Sequence, residues 1–164
     1  MFRRRGGLCV AKFDDGQAAV LRHVLLEVVA LLSDTFDRSD PVLARLFPDV
    51  YPDDAETSAE LRRYTDDDLR AAKVEQASEM LAALPEETGG EVRLDAEEAE
   101  TWLRALTDMR IALGLRLGIR DDTDLEEELD EAVLHDPTSA RVGQLSVYAY
   151  LTYLQESLVA ALMD

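Results

Sequence analysis

The stretch Asp95-Ala96-Glu97-Glu98-Ala99-Glu100-Thr101-Trp102-Leu103-Arg104-Ala105-Leu106-Thr107-Asp108-Met109-Arg110-Ile111-Ala112-Leu113-Gly114-Leu115-Arg116-Leu117-Gly118-Ile119 decides how this chain folds. Asp95 with Glu98 three residues on is a capping box, in which each side chain satisfies a backbone N–H of the other residue and starts a helix. Trp102, Leu106, Met109, Leu113 and Leu117 then recur at helical spacing. Gly118 follows the last of them and predicts a left-handed C-terminal cap, with Ile119 packing back on the final turn. Gly114 has no such duty. A mid-helix glycine costs about 1 kcal/mol against alanine, so its presence predicts another element pressed close to the backbone there. Arg110 and Arg116 stand on a helix that is apolar round most of its circumference. They are expected in a structural polar core, with Gln155 and Glu156 as partners.

Working outward toward the C-terminus, Asp121 to Glu131 holds 8 acidic residues in 11, which reads as an acidic linker or a short exposed helix, capped by Thr123 and Glu126. Asp136-Pro137 predicts an N-cap and first-turn proline before a last helix over 138–162, with Leu151, Leu154, Leu158 and Leu162 as its stripe. Toward the N-terminus, Pro85 to Gly90 is a loop, and Glu91-Val92-Arg93-Leu94 alternates as a strand. Two helices are expected before it, near 55–64 and from Thr65 to Pro85, behind a short one from Asp40-Pro41 to Phe47. A first helix spans 16–33, opened by Asp14 and Gln17. Residues 1–13 form a β-hairpin, Phe2–Arg5 and Leu8–Phe13, turning at Gly6-Gly7. A lone hairpin is marginal in water, so 91–94 is expected to add a third antiparallel strand. The reading is mainly α: a single-domain bundle of five or six helices over 1–164, with N-terminal helices at 16–84, C-terminal helices at 95–164 and a small N-terminal sheet.

Composition narrows the function classes. The 164 residues carry 17 Lys and Arg against 35 Asp and Glu, a net charge of −18. Such a charge opposes direct nucleic-acid binding, which depends on cations neutralising phosphates. No apolar run reaches the length of a bilayer span, and Arg3-Arg4-Arg5-Gly6-Gly7 is not a secretory leader. A cytoplasmic protein without membrane contact is expected. Only Cys9 is cysteine, which excludes an intrachain disulfide and Cys-based metal frameworks.

Motifs of catalysis are scarce. The serines lie in no Gly-x-Ser-x-Gly context, and there is no phosphate loop. Asp122, Asp124 and Glu126 alternate like the start of a calcium loop, but the sixth and twelfth positions hold Glu127 and Val133 instead of Gly and Glu. No metal, cofactor or catalytic residue is assigned. A metal-dependent enzyme using a carboxylate cluster is the alternative class. Cys9 is a redox candidate, because Arg3, Arg4 or Arg5 across the hairpin would lower its pKa and alternation places it opposite Leu8 and Val10, on a face open to solvent. Tyr148, Tyr150, Tyr153 and Trp102 are divided between helix packing and an interface. Arg45, Leu46, Phe47 and Tyr51, in a segment punctuated by prolines, are candidates for partner binding or for a lid packed on the helices.

Four blocks carry a resemblance: Leu43-Ala44-Arg45-Leu46-Phe47-Pro48-Asp49 with Tyr51 and Asp53-Asp54; Arg62-Arg63-Tyr64-Thr65 with Leu69; Trp102 to Ile119; and Tyr150-Leu151-Thr152-Tyr153-Leu154-Gln155-Glu156 with Leu158-Val159 and Ala161-Leu162. In collinear order over nearly the whole chain, they resemble the actinobacterial oxidative-stress regulator (AosR-like) family of small acidic proteins. The resemblance implies a cytoplasmic regulator acting through protein contacts, with a stress sigma factor as partner, upstream of cysteine and thiol metabolism. It implies no catalytic residues. One departure stands out: a thiol switch within one chain needs two cysteines, and here there is one. The apolar last helix additionally offers a homodimer element.

Overall fold

The computed structural model describes residues 1–34, 37–86 and 88–164. β1 (Arg3–Arg5) and β2 (Leu8–Phe13) form the expected hairpin. Gly6 and Gly7 sit at φ 56° and 83°, the doubly positive turn whose twist matches that of antiparallel strands. β3 (Gly90–Leu94) pairs with β2, giving the order β1-β2-β3, all antiparallel. The loop expected over Pro85–Gly90 includes Glu87, which lies outside the described residues.

The register fixes the faces of this sheet. Arg4, Cys9 and Leu94 share one row, and Arg3, Val10 and Arg93 share the next. Cys9, Ala11, Phe13, Val92 and Leu94 are therefore the core side, and the charges of Arg3, Arg5, Lys12 and Arg93 stand on the other. Phe2 and Phe13 meet Trp102 at ring-centroid distances of 5.6 Å and 6.1 Å. The sheet is thereby fastened to the helix that carries Trp102.

That helix, α4 (Ala96–Leu117), begins at the Asp95–Glu98 capping box and ends at Gly118 with φ 74°. The Ile119 N–H donates to the Gly114 carbonyl at 2.9 Å, so the chain does fold back on the last turn. α1 (Asp15–Ser33) starts at the Asp14–Gln17 box and buries Ala18, Leu21, Val24, Leu25, Val28 and Leu32. By length and composition alone α1 would pass for a membrane span, contrary to the sequence-level expectation. Its other face carries Arg22, His23 and Glu27, and its apolar stripe lies in the core. α2 (Pro41–Leu46) has Asp40 as N-cap and proline at its first turn.

Two boundaries differ from expectation. One helix, α3 (Ala55–Ala83, 29 residues), replaces the two expected there. The Thr65 hydroxyl, taken as a new N-cap, instead donates back to the Leu61 carbonyl at 3.0 Å, so the helix runs through. At the other end, α5 (Leu125–His135) is capped by Asp124, and α6 (Ala140–Met163) by Ser139. Of the two readings of 121–131 the short exposed helix holds from Leu125 on: α5 buries none of its residues, and its N-cap is Asp124 in place of the expected Thr123, with carboxylates in the first turn where they favour a helix N-terminus. Asp136 is the C-cap of α5, with its carboxylate accepting from the Thr138 N–H at 2.9 Å, and does not cap α6. Among the described residues the architecture is mainly α, six helices and a three-stranded antiparallel sheet at the N-terminus.

α4 lies at the centre, packed against α6, α3, α1 and α2. Leu145, Leu151, Leu154 and Leu158 of α6 are fully buried, while Val133 and Leu134 of α5 are exposed. The N-terminus is stitched to α6: the Phe2 N–H donates to Ser157 Oγ at 3.2 Å, and Arg4 donates to the Ala161 carbonyl at 3.4 Å.

Candidate functional site

The sequence-predicted residues fall into three separate places. Cys9 is the clearest correction. It is 1% exposed, on the core side of the sheet, because β2 turns Cys9, Ala11 and Phe13 inward. Burial pushes its thiol up, and Arg4, directly across the hairpin, opposes that only in part. An accessible thiolate is not what this environment produces.

The second place is the segment from Arg45 to Asp54. Leu46 and Phe47 are 3% and 1% exposed, packed in the core as a lid, so they are not surface residues. Beyond them the chain turns outward, and Val50 and Tyr51 are 69% and 51% exposed. Their backbone is nonetheless fixed. The buried Ser58 hydroxyl donates to the Tyr51 carbonyl at 2.7 Å and accepts the Tyr51 N–H at 3.2 Å. Asp49 pairs with Arg62 and, at 3.6 Å, with Arg38, whose other arm reaches Asp66 at 2.6 Å. A loop pinned at both sides holds two large apolar side chains in solvent.

The third place is a groove of about 500 Å³ where α4 meets α6, lined by Arg45, Thr107, Arg110, Ile111, Gly114, Leu115, Ile119, Arg120, Asp121 and Tyr148. Arg110 Nη1 donates to Gln155 Oε1 at 2.8 Å, and its guanidinium carbon lies 5.5 Å from the Tyr148 ring centroid. Gln155 Nε2 in turn donates to Thr107 Oγ1 at 2.8 Å. Arg110 Nε is buried without a hydrogen-bond partner. Gly114 explains the ring's position: a Cβ there would come within 3.0 Å of Tyr148 Cε2.

The expected polar core of Arg110, Arg116, Gln155 and Glu156 is therefore half present. Arg110 and Gln155 meet. Arg116 is exposed and faces Glu27 of α1 at 3.6 Å, and Glu156 lies on the solvent side of α6. The helix turns 100° per residue, so Arg116 and Arg110 look in different directions, as do Gln155 and Glu156.

Sequence reasoning missed the most buried charge pair. Lys73 Nζ of α3 donates to Asp108 Oδ1 of α4 at 2.8 Å, with side chains 15% and 7% exposed. Burial raises the Asp108 pKa above the usual carboxylate range, and Lys73 pulls it back only in part. The signal was available: Asp108 is three after Ala105 and four before Ala112, on a buried face, and Lys73 is one of only two lysines. Burial also holds the Tyr150 hydroxyl protonated, its pKa pushed up to about 12 with Asp14 adding to the effect. Among the described residues no group of three or more His, Cys, Asp or Glu is placed to hold a metal ion.

Comparison with known proteins adds a family. Residues 1–162 match the model of a domain of unknown function, DUF2017. The oxidative stress regulator AosR of Mycobacterium bovis is 30% identical over 179 aligned positions, covering 99% of this chain and 77% of that protein. AosR of Mycobacterium tuberculosis strain H37Rv aligns with the same identity and coverage. The putative oxidative stress regulator AosR of Mycobacterium leprae is 36% identical over 137 positions, covering 76% of this chain and 59% of that protein. No solved structure matches significantly.

Proposed function

Because this chain belongs to the DUF2017 family, whose curated relatives are named oxidative stress regulators, we propose that it is a non-catalytic cytoplasmic regulator that works by contact with another protein. The pinned loop carries this reading. Val50 and Tyr51 stand in water on a backbone fixed by Ser58, Arg62 and Arg38, so a partner can bury them without ordering a floppy segment first. Tyrosine in that position supplies apolar area with a polar tip, a combination enriched where proteins meet. Arg45, exposed on the last turn of α2, adds a cation beside the lid residues.

The net charge of −18 steers a partner with a basic surface toward the molecule, and a stress sigma factor is the partner to try first. The test is capture from native cytoplasm with the wild-type chain, an Arg45→Glu variant and a Val50→Ser/Tyr51→Ala variant. The expected result is one bound protein lost from both variants while their thermal unfolding is unchanged. Variants that keep every protein the wild type captures would refute the loop as the contact.

A further inference from the structure

We propose that the groove between α4 and α6 binds an oxyanion ligand with at least two negative groups, carboxylate or phosphate, with Arg110 as its anchor and Arg45 and Arg120 at its rim. The proposal goes beyond the contact loop and shares only Arg45 with it.

The three arginines of α4 differ in one respect. Arg104 reaches Glu100 at 3.2 Å and Arg116 reaches Glu27 at 3.6 Å. Arg110, between them, has no carboxylate partner among the described residues. Its hydrogen bond goes to a neutral amide and its face to an aromatic ring. Arg45 and Arg120 also have no ion pair among the described residues, whereas Arg141 nearby is matched by Glu128 at 2.9 Å. In a chain with 35 acidic residues, three uncompensated guanidinium groups lining one groove are a concentration of positive charge against the sign of the whole molecule. Asp121 is the only acidic residue among those lining it.

The anchor is also built for orientation. Thr107 holds Gln155, and Gln155 and Tyr148 hold the guanidinium, with no charge spent on neutralising it. Nη1 is taken by Gln155 and Nε is buried, which leaves Nη2, without a hydrogen bond among the described residues, for a ligand oxygen. The planar guanidinium fork matches the two oxygens of a carboxylate or phosphate. Gly114 leaves the room that Tyr148 occupies. The groove, about 500 Å³, falls within the range of roughly 300–1,000 Å³ usual for small-ligand sites. More than one negative group is required because a single one would leave two of the three cations unmatched.

The measurement is titration calorimetry of the full chain at low ionic strength, with citrate and pyrophosphate as free anions. A separate arm uses an Asp-rich peptide and its Asn-substituted counterpart. The expected result is saturable binding that weakens roughly tenfold or more in Arg110→Met and in the Arg45→Gln/Arg120→Gln double variant, as loss of charged hydrogen bonds predicts. Arg104→Gln is expected to leave it unchanged. Binding of citrate or pyrophosphate identifies a free anion as the source, and binding of the acidic peptide alone identifies a protein side chain. The proposal is overturned if no probe binds at low salt, or if Arg104→Gln weakens binding as much as the rim variant does. Loss of captured protein in the loop variants, with anion binding intact in Val50→Ser/Tyr51→Ala, would separate the two sites.

Discussion

Asp108 and Arg110 are two residues apart on the same helix and meet opposite fates. Asp108 faces α3, where Lys73 closes over it at 2.8 Å and both side chains are largely withdrawn from water. Arg110 faces α6 across a groove, held by an amide and a ring, with its charge left whole. A charge neutralised by the fold belongs to the architecture. A charge that the fold orients without neutralising remains open to something from outside. The helix supplies both because a step of two residues turns it through about 200°.

The sharpest way to break this contrast is to remove one member of the closed pair. Asp108→Asn leaves the Lys73 ammonium buried without its counterion and is expected to cost about 3–5 kcal/mol in denaturant unfolding, while Lys73→Met/Asp108→Leu recovers most of the loss. A small effect of Asp108→Asn would show that the pair is not closed.

A smaller effect is expected on the open side. Arg110→Met should cost about 0.5–1 kcal/mol, the scale of one cation–ring contact, and should leave the pH dependence of unfolding unaltered. A loss as large as that of Asp108→Asn would make Arg110 architectural and erase the distinction. The smallest expected effect concerns Cys9, a titratable group that the sheet turns into the core. In the native chain a thiol reagent such as DTNB should modify it only as fast as the protein opens, and rapid stoichiometric reaction of the folded chain would show that the sheet exposes it.

Much of the fold could be read from local chemistry. Capping boxes at Asp14 and Asp95, the proline after Asp40 and the Gly6-Gly7 turn each act through neighbours a few residues away. Gly114 went further, predicting a close approach that Tyr148 makes. What failed was competition between local signals. Thr65 can cap a helix or bond back within one, and only the packing of α3 as a continuous rod chooses. Asp136 and Ser139 both suit a cap, and the chain uses each for a different helix. At the sites, the pairing of Arg110 with Gln155 was within reach because both sit on strongly periodic helices. The side to which Cys9 turns depends on which face of a short sheet meets Trp102, and alternation alone leaves that sign undetermined. Lys73 and Asp108 lie 35 residues apart on different elements, and only their tertiary meeting reveals them as partners.

The stitching of Phe2 and Arg4 to Ser157 and Ala161 sets an order of assembly. On the ribosome the hairpin emerges well before α6, the helix whose surface receives its edge. Until about 150 further residues have been made, at roughly 5–20 per second, the Phe2 N–H and the Arg4 guanidinium have no α6 to bond to. The nascent chain therefore spends many seconds with an uncovered strand edge, and closure of this seam is a late step in which β1 and α6 meet.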